Sequence, residues 1–109
     1  MLKDFVSNPD DNEITVSLIM SQCAVYFGVT IEQMGSSERS HTVVEARQIA
    51  MYLMRNLTNL PLKEIGEEFG GRNHATVLSS IRKVEELLKS DPEIAATVRD
   101  ITSNINSKN

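Results

Sequence analysis

The chain has one cysteine, no tryptophan, and only 5% aromatic residues among its 109. A single cysteine cannot close an intramolecular disulfide, which favours an intracellular, cytoplasmic setting. Cys23 itself lies in a helical apolar pattern and reads as buried filler. With 40% apolar residues and so few rings, the core must be aliphatic, built from Leu, Ile, Val, Met and Ala. No basic-then-apolar leader is visible, and no apolar run approaches membrane-spanning length. The two histidines have no cysteine partners and no ligand spacing, so no metal site is expected. Gly70-Gly71-Arg72 is not a phosphate-binding loop, because no Gly-Lys-Ser/Thr follows it and no strand precedes it. Glu67 and Glu68 are adjacent, so on a helix they diverge by about 100° and form a solvated face, not a catalytic pair. The sequence therefore predicts neither an enzyme nor a cofactor.

Positive charge is also in short supply. The net charge of −4 argues against an indiscriminate nucleic-acid binder. Its distribution softens that objection. Residues 39–83 hold seven basic side chains (Arg39, Arg47, Arg55, Lys63, Arg72, Arg82, Lys83) and four acidic ones (Glu45, Glu64, Glu67, Glu68), a net +3. The remainder holds four basic and eleven acidic residues.

The length suits one small domain with a modest core. Residues 1–12 carry Asn8-Pro9-Asp10-Asp11-Asn12 and read as a linker, with Met1–Val6 as the end of a preceding helix. A first helix is expected over Glu13–Phe27, with Ile14, Leu18, Ile19, Cys23, Tyr26 and Phe27 on one face, Asp11 or Asn12 as its cap, and Gly28 as its stop. Thr30 caps a short turn of helix anchored by Val29, Ile31 and Met34, and Gly35–His41 is a polar loop. A long helix over Thr42–Leu57 buries Val43, Ala46, Ile49, Ala50, Leu53, Met54 and Leu57, leaving Arg47, Gln48, Met51, Tyr52 and Arg55 around the rest. Pro61 opens a short helix to Phe69, on which Leu62, Ile65 and Phe69 are the buried side and Gly66 permits close helix packing. The next helix begins at Arg72 or Asn73 and runs to about Lys89, with Val77, Ile81, Val84 and Leu88 inward. Asp91 caps a last helix over Pro92 to about Ile105, with Ile94, Val98, Ile101 and Ile105 as its stripe. Residues 107–109 read as a frayed tail. No strand alternation and no repeat is visible, so the domain, 13–106, is expected to be all-α.

A short helix, a Gly-Gly turn and a longer helix with a polar start form a helix-turn-helix signature, which offers its second helix to the DNA major groove. The first turn of a helix has unpaired N–H groups and a positive dipole end, both suited to phosphate. Asn73, His74, Ala75 and Thr76 would project from there. Asn pairs bidentately with adenine, His and Thr hydrogen-bond to base edges, and an Ala methyl can meet a thymine methyl. Arg82 and Lys83 lie further along, within reach of phosphate. A plainer role fits the same residues: Asn73 merely caps the helix and His74 is an exposed first-turn residue. Spacing alone does not choose between the two.

Several separate blocks do choose. Arg47-Gln48-Ile49-Ala50-Met51-Tyr52-Leu53, Leu57-Thr58-Asn59-Leu60, Glu64-Ile65-Gly66, Phe69–Val77 and Arg82-Lys83 closely resemble the C-terminal DNA-binding domain (domain IV) of the DnaA family of bacterial chromosomal replication initiators. The resemblance spans about residues 14–105 and is strongest over 46–83. It implies a small helical domain of the Trp-repressor-like helix-turn-helix type that binds duplex DNA at AT-rich DnaA boxes of the replication origin. By the same resemblance, helix 73–89 enters the major groove with base contacts from Asn73, His74, Ala75 and Thr76, and Arg39 reaches the adjacent minor groove. Phosphate contacts carry over to Arg47, Gln48, Arg55, Arg72, Arg82 and Lys83. The matching family run is Asp-His-Thr-Thr, so Asn73 and Ala75 depart from it, and Ser37-Glu38-Arg39-Ser40-His41 is less basic than the family's loop. Asp accepts from a cytosine amino group whereas Asn favours adenine, so either the base preference is altered or residue 73 mainly caps. Glu38 and Glu45 should weaken phosphate attraction.

Full-length family members add an ATPase domain, which binds ATP, and an N-terminal interaction domain. Neither is visible here, and Leu2-Lys3-Asp4-Phe5-Val6 resembles the end of the joining helix, so the sequence reads as an excised domain. The expectation is a monomeric, ATP-independent, nucleoid-associated DNA binder with regulatory proteins as further candidate partners. The alternatives are a dimeric, ligand-dependent Trp-repressor-like transcriptional regulator, and a protein-interaction module that has lost DNA affinity.

Overall fold

The computed structural model describes residues 15–108. In order, the helices are α1 (Val16–Phe27), α2 (Ile31–Gly35), α3 (His41–Leu57), α4 (Leu62–Glu68), α5 (His74–Ser90) and α6 (Pro92–Lys108), with no strand among the described residues. The all-α expectation is met. The linker assigned to residues 1–12 lies outside the described residues.

Local chemistry sets most of the helix starts. The Thr15 hydroxyl accepts from the Leu18 N–H and caps α1; Asp11 and Asn12, the expected caps, lie outside the described residues. Thr30 and Gln33 form a reciprocal capping box on α2, each satisfying the other's backbone N–H. The Asn73 side chain accepts from the Thr76 N–H at 2.9 Å. Asp91 accepts from the Glu93 N–H and opens α6, as expected. That helix runs past the expected end at Ile105, through Lys108.

α3 is the central helix, packed against α1, α2, α4 and α5, while α6 closes the domain against α1 and α5. The core is aliphatic as expected, with Ile19, Met34, Met54, Ile65, Ile101 and Ile105 fully buried and Phe69 its largest member. Burying a side chain of this size contributes about 2–3 kcal/mol. Ile94, Val98, Ile101 and Ile105 are all buried, so the α6 stripe is confirmed. Three apolar residues contradict their expected places. Tyr26 and Ile31 are exposed, because each lies where the chain turns between α1 and α2. Met51 is fully buried, since α3 is enclosed on more sides than a surface helix.

Gly66 lets α4 cross α5 closely. A Cβ there would collide with the Arg72 carbonyl and lie 3.4 Å from a Val77 methyl. The Gly66 carbonyl in turn accepts from the N–H groups of Phe69, Gly71 and Arg72, which pulls the chain into a tight turn. Gly70 and Gly71 have φ of 81° and 83°, a left-handed conformation that side chains other than Gly rarely adopt. This turn aims the start of α5 away from the core.

Candidate nucleic-acid interface

α5 divides into two faces. Val77, Ile81 and Val84 are buried, whereas Asn73, His74, Ala75 and Thr76 are exposed. The Asn73 Oδ1 caps Thr76 N–H, and the Val77 N–H is held by the Asn73 carbonyl. The N–H groups of His74 and Ala75 precede any intrahelical acceptor. No acidic residue occupies the first turn, so nothing opposes an anion at the positive end of the helix dipole.

The outward face continues across two helices. The capping Asn73 and Ala75, Thr76, Ser79, Ser80 and Lys83 of α5 share a shallow, open concavity with Gln48 of α3. No carboxylate lines it. Ser79 and Ser80 were missed in the sequence reading. Ser79 lies four residues after Ala75 and three after Thr76, a spacing that places it on their face. Arg55 is exposed in the last turn of α3, on the same face as Gln48 by its spacing, and Arg82 is exposed about 100° around α5 from Lys83. Arg82 is not part of the shared concavity.

The chain just before α3 forms the second part of the site. Arg39 is exposed in the loop between α2 and α3. Its backbone is organised locally: the Ser36 hydroxyl donates to the Gln33 carbonyl and accepts from the Glu38 N–H, and Ser40 donates to the Glu38 carboxylate. Glu38 also accepts from the Gln33 amide at 3.4 Å.

Arg47 and Arg72 have surroundings that the sequence reading did not anticipate. Arg47 is only 7% exposed. Its Nε donates to the Met34 carbonyl at 2.8 Å, and Nη2 is directed at the carbonyls of Gln33, Ser36 and Glu38 at 3.3, 3.0 and 3.0 Å. Burial, and then the charge of Arg72, lower the pKa of Arg47; Glu38 opposes that and Arg39 adds to it. Arg72, half-buried, donates Nη1 to the Phe69 carbonyl and Nη2 to the Ser36 carbonyl. The guanidinium groups of these two arginines, expected at phosphate, engage the protein's own backbone through Nε and Nη2 of Arg47 and through Nη1 and Nη2 of Arg72. Arg47 lies four residues after Val43 and three before Ala50, at the edge of the buried stripe of α3, a spacing that Arg55 does not share; Arg72 lies in the turn between α4 and α5, where periodicity gives no signal.

No group of His, Cys, Asp and Glu among the described residues could hold a metal. Burial pushes the Cys23 thiol up to about 12, so it is not a reactive group. No helix among the described residues is long and apolar enough to cross a membrane.

A glycine turn presenting the exposed polar start of α5 is the geometry of a helix-turn-helix. The family described as "Bacterial dnaA protein helix-turn-helix" matches residues 16–84, a stretch that runs from α1 into α5 and includes the whole turn. The chain belongs to this family. It is also similar to the chromosomal replication initiator protein DnaA of Leifsonia xyli subsp. xyli (strain CTCB07), 46% identical over 105 residues. That alignment covers 96% of this chain and 22% of the relative, so the chain spans about a fifth of the relative's length. The family match ends inside α5, and the similarity to the relative extends over nearly the whole chain.

Proposed function

We propose that this chain is the origin-binding domain of a bacterial chromosomal replication initiator and recognises double-stranded DNA at DnaA boxes. The observation that carries the proposal is the concavity shared by Asn73, Ala75, Thr76, Lys83 and Gln48, whose lining holds no carboxylate. The start of α5 enters the major groove. His74 and Thr76 hydrogen-bond to base edges, and the Ala75 methyl can meet a thymine methyl. Asn73 serves two purposes. Its Oδ1 caps Thr76, which leaves the Nδ2 amide as its free donor toward a base acceptor. Arg39 enters the neighbouring minor groove. Gln48, Arg55, Arg82 and Lys83 hold phosphate, which fixes register without reading sequence.

The domain acts as a monomer and without a cofactor of its own; ATP would be bound by other parts of a full-length initiator. It works in the cytoplasm at the nucleoid, and regulatory proteins are further partners of the whole initiator. The test is a titration of box duplex against scrambled duplex at two salt concentrations. Preferential, salt-weakened binding to the box is expected. Equal binding of both duplexes at low salt would instead favour a protein-interaction module, and a dimeric mass with ligand dependence would favour a transcriptional regulator.

A further inference from the structure

The loop that carries Arg39 and the turn that launches α5 are separate in sequence but joined in space. The Ser36 carbonyl is the shared point: it accepts from Nη2 of Arg47 and from Nη2 of Arg72. Arg47 reaches it from α3 and also gathers the carbonyls of Gln33, Met34 and Glu38. Arg72 reaches it from the glycine turn while also holding the Phe69 carbonyl at the end of α4. The backbones are in direct contact as well, since a Cβ on Gly70 would run into the Gly35 carbonyl oxygen. A guanidinium supplies the fork of donors that a lysine ammonium lacks, so it can bridge carbonyls from two segments.

We propose that Arg47 and Arg72 are positioning residues: they clasp the Gly35–Arg39 loop to the helix-turn-helix turn, and so fix the spacing between the minor-groove arginine and the major-groove helix. This rests on the reading that Arg39 and α5 both contact DNA. The clasp explains how a loop with few apolar anchors can hold Arg39 at a set distance from His74. It also gives Gly70 a role beyond its φ, namely the space in which the two backbones meet.

The experiment measures affinity of the 109-residue chain for box duplex in a double-mutant cycle. The variants are Arg39→Ala, Arg72→Lys and Gly70→Ala, singly and with Arg39→Ala, each melted to confirm that it is folded at the binding temperature. Arg39→Ala is expected to weaken box binding about tenfold. Arg72→Lys and Gly70→Ala keep every charge, yet are expected to approach the same loss. In the Arg39→Ala background each should then add less than about twofold, because there is no arginine left to position. A phosphate contact from Arg72 would behave otherwise, as lysine preserves a point charge. Wild-type affinity of Arg72→Lys, or losses that multiply with that of Arg39→Ala, would overturn the clasp while leaving DNA binding by α5 intact. An unchanged affinity of Arg39→Ala would overturn both the minor-groove reading and the clasp, and box preference of the same variant would show whether the α5 reading survives.

Discussion

The start of α5 and the loop before α3 both present polar side chains to solvent, but they are held in place by different means. The α5 face is set by local structure. A side-chain cap at Asn73 and helical spacing fix Ala75, Thr76, Ser79 and Lys83, and buried Val77 and Ile81 fix the rotation of the helix. The loop is set by long-range bonds from two arginines that meet on one carbonyl, Ser36. The difference separates the exposed Arg39, Arg55 and Arg82 from Arg47 and Arg72, whose guanidinium groups bond to the protein's own backbone.

The largest effect is expected on the loop side. Arg47→Met removes the partner of four backbone carbonyls at a buried position. Leaving such groups unpaired costs about 1–3 kcal/mol each before relaxation, so a total of about 3 kcal/mol or more is expected in urea or thermal unfolding. A stability change under about 1 kcal/mol would mean that water replaces the arginine readily, and the loop would then need another support.

On the α5 side, His74→Ala is expected to lose about 1–3 kcal/mol of discrimination between box and scrambled duplex, with little change in melting. Unchanged discrimination would remove His74 from the base-reading set. Next in size is Asn73→Ala, which deletes the cap on Thr76 and should cost about 1 kcal/mol of stability. Asn73→Asp retains an oxygen for the cap and should keep that stability while altering the base preference, so the pair separates capping from readout. Equal loss from both substitutions would place the effect in the amide itself.

Smaller effects concern charge. Lys83→Ala should weaken all duplexes alike and flatten the salt dependence by about one counterion. Glu38→Gln removes a negative charge beside Arg39 and should strengthen binding by about twofold to fivefold at low salt, an advantage that fades as salt rises. A Glu38→Gln variant that binds no better would indicate that the hydrogen bonds of Glu38 to Ser40 and Gln33 matter more than its charge.

Much of the fold was legible because it follows local rules. Thr30, Asn73 and Asp91 are capping residues at the expected positions, and the stripes of α5 and α6 follow helical periodicity to buried Val77, Ile81, Ile94 and Ile101. The exposed start of α5 was legible for the same reason. What escaped depends on packing between distant segments. Met51 and Arg47 flank the apolar stripe of α3, and they are buried because α1, α2, α4 and α5 all pack against that helix. Tyr26 and Ile31 satisfy an apolar pattern yet stay exposed at the α1–α2 turn. The Thr15 cap was hidden by Asp11 and Asn12, equally good capping residues a few positions earlier. Family resemblance supplied the DNA reading and placed Arg47 and Arg72 beside Arg55, Arg82 and Lys83 as phosphate contacts; the backbone carbonyls around Arg47 and Arg72 set those two apart.

The most direct test follows backbone amides and arginine Nε–H signals of the labelled chain by NMR during titration with box duplex and, separately, scrambled duplex. The account predicts that amides of residues 73–76 and of the Arg39 loop shift with the box far more than with the scrambled duplex. The Arg47 Nε–H, bonded to the Met34 carbonyl, should stay in place throughout. A box-dependent shift of Arg47 Nε–H with residues 73–76 unmoved would contradict it.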